Sequence, residues 1–290
     1  LMKGVSESLS GRVGIIELSP LSIVEKKKLP QKEFNLENLS KNYELTVNQL
    51  WDEIFKGGMP KYYLKNIDRE TYFDSYIKTY LERDVRYLSQ VGDILQFRKF
   101  LISVASRTGE VLNYSSIAED AEVSVNTVKS WLSILTATGL VYLLEPYNNS
   151  ELKRAIKNPK IYFMDTGLCS YLCKWSNKET LMNGSVAGHY FETFVISELI
   201  KNYKSIGENI GIYYYRDKDG KEIDLVLYKD DTLYPLEIKK GANPNKTMIK
   251  NFKILEKTKK KIGTGGIICL YPDIIPLDDK NYVIPISCIF

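Results

Sequence analysis

Histidine is almost absent: among 290 residues, His189 is the only one. A Ser-His-Asp triad would depend on that single imidazole, and a multi-histidine metal site is excluded. Chemistry in this chain therefore falls to carboxylates and lysines. Cysteine is also sparse. Cys169, Cys173, Cys269 and Cys288 are too few to staple a chain of this length, and Cys169 with Cys173 has no matching second pair for zinc. They read as buried or free thiols. No run of about 18 apolar residues occurs, and the opening LMKGVSESLS lacks the basic-then-apolar order of a secretory signal. A cytoplasmic chain without a membrane partner is expected. Nor is there a glycine-rich phosphate loop ending in Gly-Lys-Ser/Thr, so nothing here cradles a triphosphate. ATP would bind only through an N-terminal part that this chain lacks.

The rest is ordinary for a folded protein, with 44% hydrophobic and 26% charged residues, so long disordered stretches are not expected. The length suffices for two or three compact units, each with its own core. A net charge of +4 permits a polyanionic partner without requiring one. The apolar run VGIIEL at 13–18 has little before it to pair with, and a lone strand is unstable. The chain is therefore expected to be a fragment.

Three stretches carry a family resemblance: SLSGRVGIIELSPLSIVE at 8–25, GGMP at 57–60 and YIKTYLERDVR at 76–86. In these the chain resembles the C-terminal part of predicted AAA-superfamily ATPases that carry a prokaryotic C-terminal domain of unknown function. The resemblance implies that 1–25 is the tail of an ATPase module in which Arg12 senses nucleotide or reaches a neighbouring subunit. It also implies that 26–92 is a helical connector. The tyrosine-rich stripe through Tyr76 and Tyr80 reads as core. The ATPase module would be a partner in the full-length protein, and an oligomer is compatible with that arrangement.

Residues 93–183 show a recognisable order of elements. A helix bearing Phe97, Phe100, Leu101 and Val104 is followed by a short helix at 114–121, a turn, a longer helix at 124–138 and a strand at 140–145. On the longer helix Val125, Val128, Leu132 and Leu135 share a face, Ser124 is a good N-cap and Gly139 a good stop. This is the layout of a winged helix-turn-helix. Its exposed face would carry Asn126, Thr127, Lys129 and Ser130. The wing, 148–162, would add Lys153, Arg154, Lys157 and Lys160. DNA is the implied partner, held mainly through its backbone.

Residues 184–290 read as a helix at 187–202, a three-strand meander at 211–216, 222–228 and 233–239, a helix at 245–260 and a strand at 265–270. Three acids interrupt the apolar rhythm. Glu192 shares a helical stripe with Gly188, Val195 and Leu199; Asp224 opens the strand IDLVL; Glu237 sits within LYPLEI. Lys239, two residues on, shares the face of Glu237. Carboxylates and a lysine converging from adjacent elements suit Mg²⁺ or Mn²⁺, which needs few protein ligands. GKEIDLVL and LEIKKG resemble the PD-(D/E)XK nuclease superfamily, especially its branch with a glutamate on the first helix. By that resemblance Glu192, Asp224 and Glu237 are metal ligands; Glu222, on the face of Asp224, could serve as an extra one. Lys239 is the catalytic lysine, acting with Asp224 and Glu237. Lys246, Lys250, Lys253, Lys257 and Lys260 step by four and three along the later helix, a stripe that could track a phosphate backbone.

The fold class expected is thus α+β and multi-domain: helical connector, winged helix-turn-helix, then a nuclease-like α/β domain. The function expected is a nucleic-acid-directed region of an AAA-type ATP-binding protein, either a metal-dependent DNA endonuclease or an inactive nuclease-fold and winged-helix module that binds DNA or protein. A semi-buried ion-pair network is the structural alternative for the same acids.

Overall fold

The structure, a computed structural model, describes residues 17–65, 67–79, 94–148, 158–208 and 210–290. Arg12, Lys153, Arg154, Lys157 and most of the YIKTYLERDVR stretch lie outside these. The architecture is α+β: a helical N-terminal region precedes a mixed seven-stranded sheet with helices. No helix among the described residues is long and apolar enough to cross a membrane.

The N-terminal helices are α1 (Ile23–Lys27), α2 (Val47–Lys56), α3 (Pro60–Leu64) and α4 (Arg69–Tyr76). Both α1 and α2 open with reciprocal capping boxes, Ser22 with Glu25 and Thr46 with Gln49, which satisfy amide donors that would otherwise lack partners. The GGMP stretch follows α2 and is a docking point. Gly57 has φ +77°, and the Gly58 amide donates to Asp165 Oδ2 at 2.7 Å. On its other side the Gly58 carbonyl accepts from Leu21 N, also at 2.7 Å. A Cβ on Gly58 would run into the Leu21 carbonyl, and one on Gly167 into the Lys56 carbonyl. Three backbone segments therefore meet without side chains between them.

Next come α5 (Ile94–Ser106), β1 (Glu110–Val111), α6 (Tyr114–Ala121), α7 (Val125–Ala137), β2 (Val141–Leu144) and β3 (Lys160–Phe163). The strands form an antiparallel sheet in the order β1-β3-β2. Ser124 caps α7 by accepting the Thr127 amide, and Gly139, at φ +69°, lies just beyond its end. The buried face differs from expectation by one residue: Val125 is exposed, and Trp131 joins Val128, Leu132 and Leu135. The Trp131 ring stands edge-on to Phe97 and Phe100, with centroids 5.2 and 5.3 Å away. Helices α8 (Thr166–Leu172) and α9 (Lys178–Asn183) lead into the long helix α10 (Ala187–Ile206).

The larger sheet runs β4-β5-β6-β8-β10-β9, with β7 also pairing β6. Strands β4 (Gly211–Arg216), β5 (Glu222–Lys229) and β6 (Thr232–Lys239) form the expected antiparallel meander. Asp230 and Asp231 both have positive φ, as a two-residue hairpin turn of the favoured hand requires. Strands β7 (Lys261–Ile262) and β8 (Gly265–Cys269) run parallel to β6. Pro235 falls where β6 passes from β7 to β8, a gap in the ladder where its missing N–H is tolerated. Strand β10 (Asn281–Pro285) extends the sheet parallel to β8, and β9 (Ile275–Pro276) edges it.

Two expectations are corrected. The units do not each bury a separate core: Ile23, Trp51, Phe73, Phe100, Leu132, Phe163, Phe191, Leu236 and Phe290 belong to one hydrophobic cluster. Helix α10 joins them, because it is buried on nearly every side. Second, 246–258 is a 3-10 helix and not an α-helix. Of its buried residues Ile249, Phe252, Ile254, Leu255 and Thr258, all but Ile254 recur every third position, and Ile249, Phe252, Ile254 and Leu255 pack on the other face of the sheet. At three residues per turn, steps of four and three no longer align, so the lysines wind around the helix instead of forming one stripe.

Candidate active site

The site lies where the β5–β6 ladder ends, beside the register shift between β4 and β5. Leu225 pairs with Leu236 across β5 and β6, so Asp224 and Glu237, one step further, occupy the same face at the point where the ladder ends. There the Asp224 side chain takes over from the backbone: Oδ2 accepts the Ile238 amide at 2.9 Å and the Lys239 ammonium at 2.7 Å. Glu237 Oε2 lies 2.6 Å from the same ammonium, so one lysine holds both carboxylates. Glu222, two residues before Asp224, and Glu192, on α10, lie beside this pair and meet at a second cation.

The structure also brings in two residues that the sequence reading placed elsewhere or missed. Lys160, expected to be a phosphate contact on the wing, is 4% exposed and points inward from β3. Its Nζ lies 3.1 Å from Glu192 Oε1 and 2.6 Å from Glu222 Oε1. Tyr162, on the same face of β3, donates its hydroxyl to Glu192 Oε1 at 2.6 Å. The signal was available: a lysine two residues before a tyrosine in the otherwise apolar strand KIYF suits a buried polar partner better than a solvated wing.

Glu192 thus belongs to a Lys160–Tyr162 group, whereas Asp224 and Glu237 share Lys239. Among the described residues, no three His, Cys, Asp or Glu side chains are placed so that they could hold a metal ion together. The expected three-carboxylate ligand set is not assembled. The Asp224–Glu237 pair still suits Mg²⁺ or Mn²⁺, because Mg²⁺ commonly takes one or two carboxylates and completes its shell with water and substrate phosphate.

The electrostatics point the same way. Burial and the Asp224 charge push the Glu237 carboxyl up to about 8, against the opposing pull of Lys239. Burial likewise raises Glu192, with Lys160 opposing it and Asp224 adding to it. Asp224 is lowered: burial would raise it, but Lys239, Lys160 and the Ile238 amide outweigh that. Both lysines are raised, since the surrounding carboxylates overcome the burial that would lower them. Four carboxylic groups face the Lys160 and Lys239 ammonium groups and the Arg216 guanidinium, so acidic groups outnumber cations.

A pH dependence follows. A carboxyl whose folded pKa is raised contributes stability below its unfolded value, near 4.3, and loses it as pH rises through about 8. In EDTA the melting temperature is expected to fall between pH 5.5 and 8.5, and Glu237→Gln is expected to flatten that fall. Calorimetry at the two pH values checks it; an equal fall in the variant would remove Glu237 as the cause.

The expected nucleic-acid contacts are dispersed. Asn126 and Lys129 are exposed on α7, Thr127 is half-buried with its hydroxyl tied to Ser124, and Lys129 sits 5.5 Å over the Tyr114 ring. On the 3-10 helix Lys250 and Lys253 are exposed three residues apart and so share an edge. Lys257 lies on another edge, 3.8 Å from Asp217, and Lys260 pairs with Asp231.

Residues 47–179 match a family model described as a domain of unknown function (DUF8612), and residues 187–289 match a second one, DUF4143. The second match begins at the first residue of α10. The chain is also similar to uncharacterized protein Rv2008c of Mycobacterium tuberculosis and uncharacterized protein Mb2031c of Mycobacterium bovis. Each is 28% identical over 242 residues, covering 83% of this chain and 50% of the relative. The chain thus spans about half the length of these curated relatives. Among solved structures, protein VC1899 from Vibrio cholerae is similar at 12% identity over 85% of this chain and 55% of that one. The TM-score of 0.26 carries no argument. None of these descriptions names an ATPase or a nuclease.

Proposed function

We propose that the chain is the nucleic-acid-directed region of an AAA-type ATP-binding protein and that its carboxylate–lysine face is a Mg²⁺-dependent phosphodiesterase site acting on DNA. One observation carries the reading: Asp224 and Glu237 both lie within 2.7 Å of the single Lys239 ammonium, at a site where acids outnumber lysines. Such a pair needs either a proton or a further cation. The αβββ order of α10, β4, β5 and β6, followed by β8 parallel to β6, agrees with a PD-(D/E)XK-like core. A bound Mg²⁺ would neutralise the scissile phosphate and acidify a water. Lys239, 38% exposed and held by both acids, is placed to donate to a phosphate oxygen as charge develops.

The order of the described elements in 94–163, with the sheet β1-β3-β2, supports the winged helix-turn-helix reading, in which α7 would be the DNA-facing helix. A cleft of about 390 Å³ lined by Tyr147, Tyr215, Arg216, Asp217, Lys218, Asp219 and Lys257 opens beside Glu222; Arg216 Nε lies 3.9 Å from Glu222. The ATPase partnership rests on the family resemblance and would depend on sequence outside this chain.

The competing reading, an inactive binding module, is favoured by the lysine contact that Glu192, Glu222, Asp224 and Glu237 each already have. Nicking of supercoiled plasmid with Mn²⁺ and with EDTA, in wild type and Asp224→Asn, separates the two. Metal-dependent nicking lost in the variant supports the nuclease; no nicking with retained DNA binding supports the module. Electrostatic DNA binding is tested separately. Replacing Lys250 and Lys253 together is expected to flatten the slope of log affinity against log salt by roughly 1 to 2 units. An unchanged slope would remove this edge from the interface.

A further inference from the structure

Among the described residues, Lys160 is the one cation of the site that does not come from the large sheet. It enters from β3, at the start of a strand whose other pairings are with β1 and β2. Its ammonium is almost wholly enclosed, at 5% side-chain exposure, and its neighbours complete a shell. Glu192 Oε1 lies at 3.1 Å, Glu222 Oε1 at 2.6 Å and the Tyr214 ring centroid at 5.7 Å. Tyr162 holds the same Glu192 oxygen at 2.6 Å, which fixes that carboxylate on Lys160.

We propose that Lys160 is a built-in cation occupying, between Glu192 and Glu222, the place a second metal ion would otherwise take, so that the site accepts one divalent ion and accepts it at Asp224 and Glu237. This rests on the metal reading of the Asp224–Glu237 pair and refines it in a specific way. Glu192 is a lysine partner and not a metal ligand, contrary to what the nuclease resemblance implies. The physical reason is tethering. A divalent ion at Glu192 and Glu222 would have to displace an ammonium that the fold holds in place and would strand that ammonium in a poorly solvated interior. At Asp224 and Glu237 no such displacement is needed, because Lys239 is partly exposed and can swing toward solvent or a phosphate.

The consequence is a count of ions and a pattern of which acids matter. Mn²⁺ binding to the full chain at pH 7.5 is measured by calorimetry and electron paramagnetic resonance. Wild type is expected to bind one ion. Glu192→Gln is expected to keep that affinity within about threefold, whereas Asp224→Asn loses more than about 100-fold, exceeding what even an outer-shell partner is worth. Lys160→Met is expected to gain a second ion, Glu222→Gln in that background to remove it, and Lys160→Arg to stay at one. If Lys160→Met does not fold, Glu192→Gln in the otherwise native chain decides alone.

Two ions in wild type, a Glu192→Gln loss as large as that of Asp224→Asn, or no second ion in folded Lys160→Met would each overturn the proposal. The two readings also fail separately. If wild type binds no ion while Lys160→Met binds one that Glu222→Gln removes, the metal assignment at Asp224 and Glu237 falls and the role of Lys160 stands. Absence of binding in every variant overturns both.

Discussion

Asp224→Asn is expected to abolish Mn²⁺ binding and DNA nicking while leaving the melting temperature within a few degrees of wild type. The amide keeps the shape and one acceptor oxygen for the Ile238 N–H, now taken by Oδ2 at 2.9 Å. Lys239 keeps Glu237 at 2.6 Å and remains more than a third exposed, so it is not stranded. Glu237 loses the neighbouring charge that, after burial, raises it most, and its ionisation becomes easier. These changes in the apo protein largely cancel. For a metal they do not cancel, because one of two anionic ligands is gone. The measurements are calorimetric Mn²⁺ affinity, plasmid nicking and thermal unfolding with and without metal. A drop of many degrees in melting temperature, with wild type gaining nothing from millimolar Mn²⁺, would identify the acids as a structural ion-pair network.

The second large effect concerns stability. Gly58→Ala is expected to cost on the order of 3 kcal/mol or more, through overpacking that cannot relax. For a chain of this size that is a fall of roughly 6–12 °C. A Cβ there meets the Leu21 carbonyl, and the backbone cannot retreat. The Gly58 amide is held by Asp165 and its carbonyl by Leu21, so movement in either direction breaks a buried hydrogen bond. Gly220→Ala is the contrast: its φ is +78°, but nothing lies within 4 Å of a new Cβ. It is expected to cost only about 1–2 kcal/mol of left-handed strain. Thermal unfolding of the two variants checks both; equal losses would show that GGMP is conformational in origin and not a packing junction. The same contacts assign GGMP a structural role, since the two glycines let α2 dock on the segment that opens α8.

Local elements were legible in the sequence because their causes are local. The N-cap at Ser124, the stop at Gly139, the hairpin through Asp230 and Asp231, and the alternation that put Asp224, Glu237 and Lys239 on one face all depend on neighbours within a few residues. Helix α10 was placed, though its far end ran to Ile206. The strands β1, β3 and β10 carry no such local signal, because short strands become strands only by pairing with distant partners. The 246–258 segment reads as a helix of period 3.6, yet it coils at three residues per turn. The apolar residues fit both periods, and packing on the sheet selects the tighter one.

The composition of the site divides in the same way. Which residue types could carry chemistry was determined by the sequence alone: one histidine and scattered cysteines left carboxylates and lysines, and strand alternation grouped three of them. Which acid belongs to which cation was decided only by the tertiary structure. Lys160 lies 32 residues from Glu192 in the chain and looked like part of a solvated wing. Only the docking of β3 against α10 and the large sheet turns it inward. An ion pair between distant segments has no period and no spacing to read. It is set by where the shared core brings the two backbones together.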